Sequence, residues 1–323
     1  VLVGTDIKVN QTYRGPLLKT IEQIAESFKP WNPGTELTVG LFSSVVPEFD
    51  ERAFREALVN AFGHRDYSLL GRVRVLVDDA GLTIANPGGF VEGINVHNLL
   101  TAEPRGRNPC LMDALKRTGL AERTGRGIDR IFEGALNYGR PLPDYSRSNR
   151  RGVSVLLPRS VPDKAFVELL AEERERSGKS MSLDGLLILD KLKSERRCGF
   201  DVLSGSLDMS DQRLRTVLGQ LTEAGLVESA GVGARRTYML GAKVYRRSGR
   251  AMEYIRQSDI DRVRYPELII ELMHEQKSVS KNDVMELLHL EENQAYYQLR
   301  KLVLEGRAKK VGSGRNVRYA AVR

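Results

Sequence analysis

The chain has 323 residues, of which 41% are hydrophobic and 28% are charged, and its formal net charge is +8. These proportions exclude an intrinsically disordered chain, and no run approaches the roughly 18 uninterrupted apolar residues of a membrane-spanning helix. The excess of lysine and arginine favours a polyanionic partner, nucleic acid first, although a generally basic enzyme carries the same charge signature.

The cysteines and the N-terminal sequence predict the cellular compartment of the protein. Cys110 and Cys198 lie far apart and outside any CxxC motif, which predicts a reducing cytoplasm and argues against a disulfide framework or a zinc site. The N-terminal sequence VLVGTDIKVN lacks a signal-peptide pattern, so we expect a cytoplasmic protein. Because the first residue is Val1 rather than methionine, we also expect a fragment of a longer protein.

The first half of the chain predicts a mixed α/β layer domain. Apolar residues at helical spacing predict a helix over 16–29 and a second over 51–63. Alternating apolar residues in RVRVLVDDAGLTIANPGGF then predict a β-hairpin that turns at 78–81. The remaining elements of this domain, which ends near residue 160, are predicted helices over 108–120 and 124–138 and a strand over 152–158.

The second half contains an internal repeat. A charged connector with a short helix, residues 161–180, precedes it. LTEAGLVESAGVGARRTYML at 221–240 aligns with LVLEGRAKKVGSGRNVRYAA at 302–321, with matched leucine, glycine and tyrosine positions offset by 81 residues (302 minus 221). The shared plan, three helices closed by a two-stranded ribbon, resembles the winged helix-turn-helix superfamily, so we expect small winged-helix domains at 181–250 and 251–323.

Double-stranded DNA is the partner expected of these two domains. Lysine and arginine on glycine-containing wings can contact phosphates, and polar side chains on each third helix can meet base edges. A protein-binding or dimerisation role for the same domains stays open. The expected DNA-binding residues are Gln212, Arg213, Thr216, Arg235, Arg236, Asn293, Gln294, Tyr297, Arg300, Lys309, Lys310, Arg315 and Arg318.

The stretch EALVNAFGHRDYS at 56–68 carries a row of polar residues on a predicted amphipathic helix. Glu56, Asn60 and His64 recur every four residues, which keeps them close to one helix face. Two glycine motifs follow: NPGG comes directly after a predicted strand, and RTGRG leads into a predicted helix.

This order of motifs resembles the GHKL ATPase fold. More closely, EALVNAFGHRDYS, NPGGF and RNPCLMDALKRTGLAERTGRGIDRI resemble the divergent RecG-like C-terminal domain over about 15–160. In that family the domain usually follows a Schlafen/AlbA-type domain and precedes winged helices, and residues 1–15 resemble the tail of the former. The resemblance implies an α+β layer sandwich of the GHKL type at 16–160, followed by the two winged-helix domains.

The resemblance also implies a pocket for ATP or another nucleotide with Mg²⁺. Asn60 would supply an oxygen ligand to Mg²⁺, and Glu56 would orient or deprotonate an attacking water. A lid over 91–123 would contribute arginines to the phosphates, and Asn86 replaces the aspartate that reads adenine in the wider superfamily, which leaves the base open. The cofactor-binding residues expected are Asn60, His64, Asn86, Gly88, Gly89, Arg105, Arg107, Gly125 and Gly127.

Structural alternatives exist at each position of this pocket. Glu56 could pair with Arg52, His64 could serve only as a hydrogen-bonding residue, and both glycine motifs could be simple turns. A structural Asn60 would need buried partners, because an unpaired buried amide costs about 1–3 kcal/mol.

Three functions are consistent with the sequence. The first is a DNA-binding transcriptional regulator that senses a nucleotide, with a homodimer matching a two-fold operator. The second is a Mg²⁺-dependent ATPase acting on nucleic acid, with Glu56 as its base; no GxxxxGK[ST] loop is present, which disfavours a helicase motor. The third is a degenerate scaffold whose winged helices bind protein.

Overall fold

The structure is a computed structural model that describes residues 1–39, 42–121, 125–195, 197–231, 233, 236–247, 265–288, 290–312 and 317–322. It divides into two compact units. The first comprises Val1–Asp190 together with Ser204–Leu214, and the second comprises Lys191–Leu203 together with Arg215–Arg323. Within the described ranges, no helix combines the length and apolar composition needed to cross a membrane.

The chain begins with a small sheet and a helical layer and continues into a three-stranded sheet. The elements up to the end of that sheet are β1 (Leu2–Val3), β2 (Asp6–Ile7), α1 (Leu17–Phe28), a 3₁₀ turn (Lys29–Trp31), β3 (Gly34–Val39), β4 (Phe42–Pro47), α2 (Glu51–Gly63), β5 (Arg74–Asp78), β6 (Gly81–Pro87), α3 (Pro109–Arg117), α4 (Gly127–Leu136) and β7 (Gly152–Pro158).

The rest of the chain is mainly helical. Its elements are α5 (Lys164–Ser177), α6 (Leu183–Glu195), β8 (Arg197–Gly199), α7 (Phe200–Leu207), α8 (Asp211–Glu223), β9 (Val227–Ala230), β10 (Thr237–Leu240), α9 (Ala242–Arg247), α10 (Tyr265–Gln276), α11 (Lys281–Leu288), α12 (Glu292–Leu304), β11 (Ala308–Val311) and β12 (Arg318–Ala321).

The centre of the first unit is the antiparallel sheet β5-β6-β7, on which α2 packs. The predicted hairpin is confirmed, with Asp78 paired to Gly81 across the turn. The predicted strand at 152–158 is confirmed as the partner of β6 over its whole length. Alternation of apolar residues gives this sheet one buried face, which includes Leu82 and Ile84.

Helix α2 is fixed at its start and along one side. The Asp50 carboxylate caps it by accepting from the backbone N–H groups of Arg52 and Ala53, both at 2.9 Å. Helix α4 crosses α2 closely at Gly134, where an added methyl group would lie 2.7 Å from Ala53 Cβ. This close crossing brings the start of α4 beside the polar row of α2.

Two features of the first unit were not predicted from sequence. Strands β3 and β4 form a hairpin from Gly34↔Pro47 to Val39↔Phe42. The connector was expected to hold only a short helix, whereas α5 runs for 14 residues and ends on Gly178 with a left-handed φ of 70°.

The repeat detected in the sequence has matching local geometry at its two helix ends. Gly225 and Gly306 follow α8 and α12 with φ values of 68° and 70°. The next amide in each copy bonds back to the leucine five residues earlier, at 2.9 Å after α8 and 3.0 Å after α12. Both helices therefore end in the same left-handed glycine motif.

Each copy also has a small sheet and an apolar core. Strands β8-β10-β9 form one antiparallel sheet, and β11-β12 form a two-stranded ribbon. In the second copy, Ala295, Leu299 and Leu302 of α12 are buried in a core closed by Tyr319. Their spacing places all three on one face of α12.

Candidate functional site

The polar row of α2 faces a cavity. Glu56, Asn60 and His64 all line a cavity of about 500 Å³ in the first unit. Glu56 is only 2% exposed, whereas Asn60 and His64 are half-buried. Four-residue spacing on a well-capped helix therefore places a carboxylate, an amide and an imidazole along one wall of this cavity.

The first residue of α4 approaches this row closely. A methyl group added to Gly127 would lie 2.9 Å from Glu56 Oε2 and 3.6 Å from Asn60 Nδ2. A side chain at this position would therefore collide with the carboxylate. The N-terminus of α4, whose free backbone N–H groups favour an anion, opens beside both polar side chains.

The preceding glycine shapes the approach to α4. Gly125 has a φ of 76°, a conformation that non-glycine residues rarely adopt, and it lines the cavity. A methyl group there would lie 3.0 Å from Pro104 Cγ. The turn thus packs directly against the segment that was predicted to form the lid.

The end of β6 forms another wall, and its two glycines differ in position. Asn86 is buried, lines the cavity and donates from Nδ2 to the Pro87 carbonyl at 3.1 Å. Gly89 also lines the cavity. Gly88, with a φ of 91°, instead packs against Asp66, whose Cβ would lie 2.6 Å from an added methyl group.

The two lid arginines also differ. Arg105 is exposed and lines the cavity. Arg107 is not among the cavity residues, because it bonds to Asp66 Oδ2 at 3.2 Å and to the Gly89 carbonyl at 2.8 Å. Arg107 therefore holds the loop after α2 against the end of β6.

The surroundings of this loop lower the pKa values of Asp66 and His64. Hydrogen bonds from the Ser68 hydroxyl and amide lower the pKa of Asp66, and the charge of Arg107 adds to the shift. Burial lowers the pKa of His64, and Arg107 lowers it further. His64 is consequently a neutral imidazole near pH 7, able to donate one hydrogen bond and accept another.

Sequence reasoning missed one cation in the cavity. Lys116 of α3 is half-buried and lines it. Pro109, Met112 and Asp113 line it too, at the i, i+3, i+4 and i+7 spacing of one helix face. The spacing could have placed these residues on one helix face. It could not show that this face lines the cavity, because that depends on how α3 packs beside α2.

The remaining lining is apolar and comes from the central sheet and α4. Ile84, Val155 and Ile131 are buried there, beside Tyr145. Full burial raises the pKa of Tyr145 above its ordinary range, so its phenol stays protonated. An apolar cavity of this size with a few convergent polar groups is typical of small-molecule sites.

The donor set fits a nucleotide with Mg²⁺. The Asn60 amide and the Glu56 carboxylate present oxygen atoms, the donors that Mg²⁺ prefers alongside phosphate oxygens and water. In the part of the chain that the structure describes, no three His, Cys, Asp or Glu side chains gather at a metal position. Any Mg²⁺ here would accordingly depend on the ligand's own phosphates. The predicted pocket residues that the cavity brings together are Glu56, Asn60, His64, Asn86, Gly89, Arg105, Gly125 and Gly127.

Arg213, Gln294 and Arg318, which were expected to contact DNA, make side-chain contacts within the chain. Arg213 binds Asp184 through Nε and Nη2, at 2.5 and 2.6 Å. The Gln294 side chain accepts from the Glu291 amide in the capping box of α12. Arg318 donates to Ser278 and pairs with Asp283 at 3.3 Å.

The other expected DNA-binding residues within the described ranges are solvent-exposed. On α12 the Tyr297 side chain is 64% exposed and shares its face with Arg300. Arg235 and Arg315 lie outside the described residues. The exposed group consists of Gln212, Thr216, Arg236, Asn293, Tyr297, Arg300, Lys309 and Lys310.

Comparison with known proteins bears on the first unit. A family model described as "Putative ATP-dependent DNA helicase recG C-terminal" matches residues 71–157. This match supports a GHKL-like ATPase domain family for that segment, and such a domain suggests nucleotide binding. Helix α2, with Glu56 and Asn60, precedes the matched segment. No curated protein matches the sequence.

A solved structure shares the fold. The crystal structure of the DIP2311 protein from Corynebacterium diphtheriae superposes with a TM-score of 0.60 at 22% sequence identity. The superposition covers 98% of this chain and 57% of that one, so this chain spans little more than half the length of that protein. At this identity the likeness concerns the fold alone.

Proposed function

We propose that this chain is a DNA-binding transcriptional regulator whose first unit senses ATP or another nucleotide together with Mg²⁺. One observation carries the nucleotide part: Glu56 and Asn60 of α2 converge on Gly127, at the open N-terminus of α4, in one cavity. A metal-bound polyphosphate needs this combination of oxygen donors and backbone N–H groups.

The proposal keeps the domain plan expected from sequence. Residues 1–15 are the tail of an AlbA-type domain, 16–160 the GHKL-like domain, 161–180 the connector, and 181–250 and 251–323 the two winged-helix domains. The element order α10, α11, α12 and the β11-β12 ribbon supports the last assignment, as does the shared helix-end motif of the two copies. The protein acts in the cytoplasm as a homodimer.

The DNA part is supported by exposure and charge. Asn293, Tyr297 and Arg300 project from one face of α12 and are solvent-exposed. Lys309 and Lys310 are exposed on the adjoining ribbon. A polar and aromatic helix face beside a basic ribbon is a surface that fits a duplex groove and its phosphates.

A thermal-shift panel of nucleotides, with and without Mg²⁺, tests the nucleotide part. A ligand at about 100 times its Kd adds about 2.7 kcal/mol to the free energy of unfolding, which raises Tm by several degrees. Asn60→Ala should remove the Mg²⁺-dependent shift. Asn137→Ala, an exposed asparagine at the far end of α4, is the matched control and should retain it. No shift with any nucleotide would contradict the proposal and favour the scaffold.

A Mg²⁺-dependent ATPase acting on nucleic acid is the second candidate. The observation that favours it is the burial of the Glu56 carboxylate beside Gly127, a setting in which a carboxylate can activate water. Glu56→Gln separates the two functions. Under the enzyme hypothesis this variant binds Mg-ATP but loses turnover, whereas a sensor shows no turnover in either form.

A further inference from the structure

Two of the described cations that line the cavity, Arg105 and Lys116, form no ion pair with a described carboxylate. The acid nearest to Lys116 in sequence, Asp113, pairs with Arg117 at 2.9 Å instead. This contrasts with Arg107, which pairs with Asp66 through Nη1 and donates to the Gly89 carbonyl through Nη2.

An unpaired cation that is partly removed from water indicates an anionic ligand. Lys116 is half-buried, and a partly desolvated ammonium without an anion is unfavourable. Asp129, another acidic residue that lines the cavity, forms an ion pair with Arg126 at 3.1 Å. The cavity therefore offers two positive groups from the lid and α3, in addition to the backbone N–H groups of α4.

We propose that Lys116, together with Arg105, binds the phosphate chain of the ligand, and that Arg107 only positions the surrounding loop. This inference rests on the proposed nucleotide binding and narrows it to nucleoside di- and triphosphates. A nucleoside without phosphates would use only the apolar wall and the polar row of α2.

Isothermal titration with Mg-ATP, Mg-ADP, adenosine and inorganic tripolyphosphate tests the assignment. Lys116→Ala should weaken Mg-ATP and tripolyphosphate about 10- to 100-fold, since one charge-assisted hydrogen bond is lost, and should leave adenosine unchanged. Lys116→Arg should restore most of the affinity. Lys19→Ala, an exposed lysine of α1 that does not line the cavity, is the control and should bind like the wild type.

The outcomes separate this inference from the proposed function. If the wild type binds Mg-ATP and Lys116→Ala binds it equally well, the phosphate assignment is overturned while nucleotide binding stands. If Lys116→Ala weakens adenosine as much as Mg-ATP, the lysine acts through the fold and the assignment is again overturned. Failure of the wild type to bind any probe overturns both.

A second observation concerns a wall shared by two cavities. Leu100 and Asp129 line the nucleotide cavity and also a smaller cavity of about 130 Å³. Met209 and Arg213, at the start of α8, line the smaller one. All of these residues belong to the first compact unit. One layer of side chains thus separates the nucleotide cavity from the first turn of α8.

A hydrogen bond crosses beside this wall. The Thr101 hydroxyl, in the lid segment, donates to Asp208 Oδ2 at 2.6 Å. Asp208 has a φ of 49°, a left-handed conformation that only Lys277 shares among the described non-glycine residues. A carboxylate that accepts a hydrogen bond from the lid and is carried on a constrained backbone is a position to which movement of the lid would be transmitted.

The geometry points to the Thr101–Asp208 bond as the link that transmits nucleotide binding to the start of α8. This inference also rests on the proposed function, and names its regulation. Ligand contacts with the lid would favour one position of Thr101, and through Asp208 one arrangement of residues 208–213.

Amide hydrogen exchange tests the link without requiring a DNA site. Saturating Mg-ATP should change the exchange of residues 207–213 several-fold in the wild type, and Thr101→Val should abolish that change while keeping the Mg-ATP thermal shift. Thr35→Val, an exposed threonine on β3, is the matched control. A thermal shift with unchanged exchange at 207–213 overturns the link alone. No thermal shift in the wild type overturns the proposed function.

Discussion

The cavity of the first unit and the exposed face of α12 present their polar side chains in opposite ways. In the cavity, Glu56 is buried and Gly127 approaches it so closely that any side chain at position 127 would displace the carboxylate. On α12, Tyr297 and Arg300 extend into solvent. Under the proposed function, this difference means that ligand binding in the first region depends on steric fit, whereas duplex binding in the second depends on the charge of exposed side chains.

The largest expected effect is at Gly127. Gly127→Ala places a methyl group 2.9 Å from Glu56 Oε2, so the carboxylate or α4 must move. Overpacking of this kind costs about 1–3 kcal/mol, and we expect Mg-ATP affinity to fall about 10- to 100-fold. Calorimetry and thermal unfolding measure the two effects.

A glycine in open space provides the control for that variant. Gly219 lies in α8, and among the described residues no heavy atom other than the nearby backbone of its own helix and its chain neighbours lies within 4 Å of an added methyl group. Gly219→Ala should raise stability by about 0.5–1 kcal/mol, because alanine is the better helix former. If Gly127→Ala raised stability as Gly219→Ala is expected to do, the explanation of the cavity by steric fit would be wrong.

The next largest effect tests whether exposed positive charge on the β11-β12 ribbon contributes to duplex binding. Replacing Lys309 and Lys310 by alanine removes two exposed cations, so the slope of log K against log salt for duplex binding should become shallower by about 1.8. Fluorescence anisotropy over a salt series measures this slope. The matched control replaces Lys8 and Lys19, which are exposed in the first unit, and should leave the slope unchanged.

The two copies of the repeat give a smaller and more selective effect. Arg300→Ala should weaken duplex binding about 5- to 30-fold, the range for loss of one base or phosphate contact. Arg213→Ala should change it less, because Arg213 already binds Asp184. Equal losses in a parallel binding assay would show that Arg213 leaves Asp184 to meet DNA, and the contrast between the copies would fail.

The smallest expected effect is the pH dependence of stability that His64, in the wall of the cavity, produces. Burial and Arg107 lower the pKa of His64 below its ordinary value of 6.5. Between the lowered pKa and the ordinary pKa, His64 therefore binds a proton in the unfolded chain but not in the folded chain. The resulting stability is complete above pH 6.5 and is lost as the pH falls toward the lowered pKa, by at most about 1.4 kcal/mol per pH unit. His64→Gln should flatten Tm against pH between 6.5 and 5, and an unchanged profile would contradict the assignment.

Local patterns in the sequence predicted much of the first unit. The bounds of α2, β6 and β7 follow from apolar periodicity and from glycine or proline at the element ends, and the row on α2 follows from four-residue spacing. The hairpin of β3 and β4 carries a weaker signal, because threonine and serine occupy many of its positions.

Long-range pairing accounts for what the sequence could not show. Arg213 and Asp184 are 29 residues apart, and Arg107 and Asp66 are 41 apart, so their ion pairs depend on how elements dock. Lys116 could not be assigned to the cavity for the same reason. The glycine ends of α8 and α12 were predictable because each motif closes within six residues.

The close approach of Gly127 to Glu56 also bears on biosynthesis. The walls of the cavity come from α2, α4 and β7, so the site does not exist until the chain has been synthesised past Pro158. Contacts between such distant segments form late, after the local helices. Under the proposed function, a ribosome-bound chain that has only reached α3 would not bind nucleotide, and binding would become possible only with the last strand of the central sheet.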